Sequence, residues 1–152
     1  MTAVGLFSMM MPAMAGSLVY EGKKGIGQGT HIVFIANDHE YRSEESCPAI
    51  AKILAKRHGF RCTVLFGLDE DGAIEGGGRD NPGMEALKDA DLLFFFTRFM
   101  NLKDEQVDLL VDYFERGGPV VGLRTSTHCF NGQNGKWEKL NFNYTGADYR
   151  GG

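Results

Sequence analysis

Two stretches of the chain, His31 to Ala36 (HIVFIA) and Asp91 to Thr97 (DLLFFFT), are apolar without alternation. A strand with one wet face alternates polar and apolar residues, so unbroken runs predict strands covered on both faces. Parallel sheets meet that condition, because their crossover helices lie above and below. The 152 residues are enough for one domain with a real core and too few for two comfortable ones. A single α/β domain follows.

Around these runs the periodicity becomes helical. Ser43, Glu44 and Glu45 predict a helix start with acids at the positive end of the dipole, and Ala49, Ile50, Ile53 and Leu54 recur at helical spacing up to a stop at Gly59. Phe60 to Phe66 predicts a second strand, more polar at its start and so placed near an edge. Gly67 to Pro82 holds acids and glycines without apolar periodicity, a loop expected to be mobile or to line a site. Met84 to Lys88 allows a short helix, and Lys103 to Arg116 carries Val107, Leu110, Val111 and Phe114 on one helical face. Gly117 and Gly118 end that helix, and the apolar run after Pro119 reads as a buried parallel strand.

Strands and helices in this order predict a flavodoxin-like doubly wound parallel sheet, with the His31 strand between the second and third strands. Beyond Phe130 neither period persists, so the sheet reads as incomplete at the C-terminus. Residues 1–29 read as a leader and extended lead-in, and residues 30–152 as the N-terminal part of the domain.

The leader, Thr2 to Ala15, is small, apolar and rich in Met, and closes on Ala13, Met14 and Ala15 in the manner of a signal-peptidase site, but has no basic flank. It reads either as the remnant of an export signal, implying a periplasmic or secreted protein, or as a cytoplasmic leader. It is too short to span a bilayer. A net charge of -4, with no clustered Lys/Arg stripe, argues against a nucleic-acid partner. Three cysteines, none in a C-x-x-C pair, indicate neither a zinc knuckle nor a disulfide framework. A homo-oligomer is compatible with all of this.

In such a sheet ligands bind beyond the carboxyl ends of the strands. Three exits meet there: Asn37 to Arg42, Thr97 and Arg98, and Arg124 to His128. His39 and His128 are the candidate acid/base groups, since imidazoles titrate near neutrality. Asp38, Glu40, Arg98, Arg124 and Ser126 are the candidate substrate-binding groups. Next to His128, Cys129 looks like a nucleophile with its base. It is flanked by His128 and Phe130, however, and lies past the strand-to-helix elbow, which falls at Thr125 and Ser126. A buried thiol is the expectation.

His39 and His128 with Asp38 or Glu40 could also hold a divalent metal such as zinc, although no H-E-x-x-H spacing supports it. No metal or other cofactor is assigned. The glycine-rich runs Gly25 to Gly29 and Gly76 to Gly78 lack the strand-to-helix context of a phosphate loop.

The pieces His31 to Arg42 (HIVFIANDHEYR), Ala90 to Arg98 (ADLLFFFTR) and Arg116 to His128 (RGGPVVGLRTSTH) together resemble the trehalose-utilisation (ThuA-like) family. That family belongs to the class I glutamine amidotransferase-like superfamily, and the resemblance covers about Thr30 to Phe130 in one register. It implies a flavodoxin-like core, a link to trehalose-type carbohydrate metabolism and a C-terminal half beyond this chain. The amidotransferase relatives carry a nucleophilic cysteine at the elbow. Here the elbow reads Arg-Thr-Ser-Thr-His, which implies no glutaminase activity. The resemblance places a sugar-like ligand at His39, Glu40, Arg98, Arg124 and His128. Enzyme and binder stay open, as does a non-catalytic interaction or scaffold domain of a larger exported protein.

Overall fold

The computed structural model describes residues 16–146, so the export-signal reading of residues 1–15 lies outside the described residues. Five strands form one sheet: β1 (Ser17–Tyr20), β2 (His31–Asn37), β3 (Arg61–Phe66), β4 (Leu92–Thr97) and β5 (Val120–Gly122). Their order across the sheet is β1-β3-β2-β4-β5. β2 pairs in parallel with β3 and β4, and β4 with β5, while β1 runs antiparallel along β3. The fold is therefore α/β with a mostly parallel sheet, and β2 lies between β3 and β4 as the run of apolar residues requires.

Alternation along β2 divides the core in two. Val33 and Ile35 join Leu65, Leu93 and Phe95 on the face covered by α2 (Asp104–Glu115) and a 3-10 helix at Met84–Asp89. Ile32, Phe34 and Ala36 face the other way, with Val64 and Phe66, under α1 (Ser43–His58). Every residue of β2 is buried. Helices on both faces are what a strand with no polar alternation demands.

Several details depart from the periodicity. Along α1 the buried residues are Ser43, Cys47, Ala51 and Ala55, whereas Ile53 is exposed. Small residues four apart let the helix axis approach the sheet closely, and β2 and β3 then supply the bulk. On α2, Tyr113 rather than Phe114 enters the core, because its hydroxyl can donate to the Pro119 carbonyl at 2.7 Å. The lead-in forms β1 at its start and takes the edge itself, so β3 lies one strand in, near the edge as its more polar start predicts.

The largest correction concerns β5, expected to be buried. It has a neighbour on one side only, and Val120 and Val121 are 41% and 42% exposed. The chain beyond Phe130 also holds more structure than its pattern suggests, a 3-10 helix at Gly135–Leu140 and a bridge from Phe130 to Asn141.

Glycines of the lead-in serve close packing. Gly27 donates its amide to the His58 carbonyl at 2.8 Å, and a Cβ at Gly22 or Gly25 would overlap the backbone at Gly59 or His58. Gly59 ends α1 at φ 83°, as expected of a helix-stopping glycine.

His31, at the start of β2, is 5% exposed and meets Thr63 Oγ1 through Nε2 at 2.9 Å. Burial first, and the Arg61 charge second, lower its pKa below the ordinary 6.5, against opposing pull from Asp89 and Asp91. Folding thus favours the neutral ring. As pH falls below 6.5 towards the lowered value, the unfolded chain takes up a proton that the folded chain does not, and stability declines. Thermal unfolding at about pH 7.5 and about pH 5.5 should show a smaller acid loss for His31→Gln than for the wild type.

Candidate functional site

The first exit leaves β2 at Asn37 and turns at once on Asp38. That carboxylate is fully buried, and its Oδ1 accepts the amides of Glu40 and Tyr41 at 2.8 and 2.7 Å. This local turn explains the dense polar loop before α1, since an aspartate at its head satisfies two backbone donors that have no strand partner. The Asp38 amide in turn donates to Ser43 Oγ at 2.9 Å, tying the turn to the first residue of α1. His39 and Glu40 are left exposed at the tip.

The second exit follows β4. The Arg98 guanidinium pairs with the Glu40 carboxylate, and the Arg98 amide donates to the Asn37 carbonyl at 3.0 Å. Phe99 takes a left-handed backbone, φ 56°, which aims its ring among the exits. Arg98 Cζ stands 4.5 Å from the ring centroid, His39 stacks at 5.6 Å, His128 meets it edge-on at 6.4 Å, and Phe142 tilts against it at 4.9 Å. Phe99 is therefore what brings the two candidate histidines to one place.

The third exit follows β5. The Arg124–Thr125 peptide is cis, and Thr125 Oγ1 donates to Asp38 Oδ2 at 3.3 Å. Arg124 is exposed, its Cζ 5.9 Å from the Tyr41 ring centroid. Ser126 opens a single 3-10 turn to His128 and is occupied with backbone: its hydroxyl donates to the Phe95 carbonyl at 2.8 Å and accepts from the Thr97 amide at 3.3 Å. Ser126 thus fastens this exit to β4. His128 shares a 3.1 Å contact between Nδ1 and Thr127 Oγ1.

Cys129 lies behind this turn, packed against the α2 side of the core. Burial pushes its thiol up to about 11, close to Cys62 at about 11 and below Cys47 at about 12. None of the three supplies thiolate at neutral pH. Iodoacetamide at about pH 7 is expected to label Cys129 as slowly as Cys47 and Cys62 in the folded chain, by mass spectrometry; fast selective labelling of Cys129 would restore a nucleophile.

The loop from Gly67 to Pro82 forms the wall beside His39. Leu68 bridges to both Ile74 and Asp80, and Asn37 Nδ2 donates to the Gly78 carbonyl at 3.1 Å and to Asn81 Oδ1 at 2.5 Å. Gln106 of α2 completes the anchor, donating to Asp80 Oδ1 at 2.6 Å and to the Asn81 carbonyl at 2.9 Å. Gly76 packs on the Asp38–His39 backbone and Gly77, φ 78°, lies beside the His39 ring. The glycine run is thus a close-approach element. Along the same loop a cleft of about 700 Å³ is lined by Asp69, Glu70, Asp71, Glu75 and Asp80, with Arg79 and Lys103 among them. Lys103 neutralises Asp80 at 2.6 Å, holding that carboxyl below its usual range against the opposing effect of burial.

Asp38, His39, Glu40, Arg98, Arg124, Ser126 and His128 accordingly gather at the carboxyl edge of the parallel strands. Phe99, Tyr41, Phe142, Thr125 and Asn37 complete the region; none is a candidate site residue by sequence, although the first exit contains Asn37 and Tyr41 and the elbow contains Thr125. Asn37, ending an apolar run, is the one with a visible signal. The other contacts depend on backbone turns without a sequence signature. Among the described residues no group of three or more His, Cys, Asp or Glu side chains could hold a metal ion, and no helix is long and apolar enough to cross a membrane. Compared with known proteins, the chain matches no family model, no curated protein and no solved structure.

Proposed function

We propose that the sheet is the N-terminal part of a flavodoxin-like, ThuA-like domain that binds a small sugar at its carboxyl edge, without glutaminase activity. The observation that carries this reading is the aromatic cluster at the meeting of the three exits. His39, His128 and Phe142 present exposed rings around Phe99, and Arg98 and Glu40 flank it. Sugars offer an apolar C–H face and a rim of hydroxyls, a combination suited to aromatic edges interleaved with hydrogen-bonding groups. Burial pushes the Cys129 thiol up to about 11, which supports leaving glutaminase activity out of this reading.

Isothermal titration of the whole chain with trehalose, a keto-sugar and simple hexoses tests it. Saturable heat with at least one, weakened by His39→Ala and by His128→Ala, is the expected result. No heat with any of them overturns the reading. An interaction or scaffold role is the second reading, favoured by the exposed Val120 and Val121 on β5. It gains if both histidine variants behave as wild type in every assay of the protein.

A further inference from the structure

Resting on that sugar-binding reading, we propose that the site prefers sugars bearing an oxyanion, a carboxylate or a phosphate, over neutral ones, with Arg124 as the group that holds the anion. Both acids at the crevice are already engaged within the protein. Asp38 is fully buried and accepts two amides and a hydroxyl, and Glu40 is paired with Arg98. The nearby carbonyls are engaged as well: Asn37 by the Arg98 amide, Phe95 by Ser126, Leu123 by the Ser126 amide, and His128 by the Phe99 amide. Each of these acceptors has part of its capacity committed within the protein, which leaves less of it for the hydroxyl protons of a neutral sugar.

Donors remain in excess. Among the described residues Arg124 has no hydrogen bond or ion pair, only its approach to the Tyr41 ring, and it is exposed. Among the described residues the His39 ring stacks on Phe99 and lies beside Gly77 with no hydrogen bond or ion pair, while the His128 ring, set against Phe99 and Phe142, has one polar contact, with Thr127. A guanidinium offers five donors in a planar fork that matches a carboxylate or a phosphate edge. The Asp38 carboxylate joins the turn carrying Tyr41 to the exit carrying Arg124, so Arg124 borders the sugar site through Thr125. The cleft along the 67–82 loop sets Asp69, Glu70, Asp71, Glu75 and Asp80 against Arg79 and Lys103, a balance that disfavours an anion there and leaves Arg124 as the docking point.

Titration of the whole chain with glucuronate, glucose 6-phosphate and glucose, at low salt and at about 300 mM salt, tests the preference. At low salt at least one anion is expected to bind about fivefold or more tightly than glucose, with the advantage shrinking as salt rises. The two anions separate a carboxylate site from a phosphate site. Arg124→Gln is expected to remove most of the advantage and Arg124→Lys to keep part of it, with Tm unchanged in both. Glucose binding as tightly as both anions, or an advantage undiminished in Arg124→Gln, overturns the preference and leaves the sugar reading standing. No heat from any sugar, neutral or charged, removes both.

Discussion

Asp38→Ala is expected to lower stability by about 3 kcal/mol and to weaken ligand binding more than about tenfold. The carboxylate is wholly buried, and its loss leaves the Glu40 and Tyr41 amides and the Thr125 hydroxyl without their acceptor. Buried donors left unpaired cost more than the bonds contributed when made. The same change releases the turn carrying His39 and Glu40 from the exit carrying Arg124, so binding should fall further than stability alone accounts for. Asp38→Asn separates the two effects. Its remaining oxygen can still accept the two amides, and the Thr125 hydroxyl can turn to accept from the new amide. Chemical denaturation and titration of both variants check this. An alanine variant as stable as the asparagine variant would show that the Asp38 turn does not organise the site.

The second large effect is steric. A Cβ at Gly76 would overlap the Asp38 carbonyl oxygen and approach His39 Cα to 2.6 Å, against backbone that cannot rotate away. Gly76→Ala is expected to cost about 2 kcal/mol and to displace the 67–82 loop or the His39 turn, with loss of binding. Gly72→Ala on the same loop is the comparison. Gly72 has φ 81°, but a Cβ there meets nothing, so its cost of about 1 kcal/mol is backbone strain and binding should be retained. Thermal unfolding and sugar titration of the pair read the contrast. Equal binding by both variants would detach the glycine run from the site.

Both predictions depend on contacts between loops distant in sequence, and this sets what was legible in the chain. The central strands could be read because burial on both faces leaves an unbroken apolar signature in each strand by itself. The helix limits at Ser43 and Gly59 were local as well, matching α1 from Ser43 to His58. Their buried faces were legible only in part: Ile50 and Leu54 pack against the core as their spacing predicts, whereas Ile53, of the right residue type, points to solvent, and the row lying deepest against the sheet is Ser43, Cys47, Ala51 and Ala55. β1 has four residues and no pattern of its own, and becomes a strand only because β3 offers it an edge.

The same division holds at the site. By itself the sequence determined that polar residues follow apolar strands, and the rule for parallel sheets then put His39, Arg98, Arg124 and His128 at one edge. The tertiary structure decided what each of them is free to do. It engaged Glu40 with Arg98 and Asp38 with three donors, occupied Ser126 with the backbone of β4, and left Arg124 without a hydrogen-bonding partner among the described residues. It also gathered two imidazoles on Phe99, a residue with no mark in the sequence to distinguish it from the other phenylalanines. The physical reason is one of range. Burial and periodicity act along the chain, where composition records them, whereas the commitment of a charge depends on which loop folds against it.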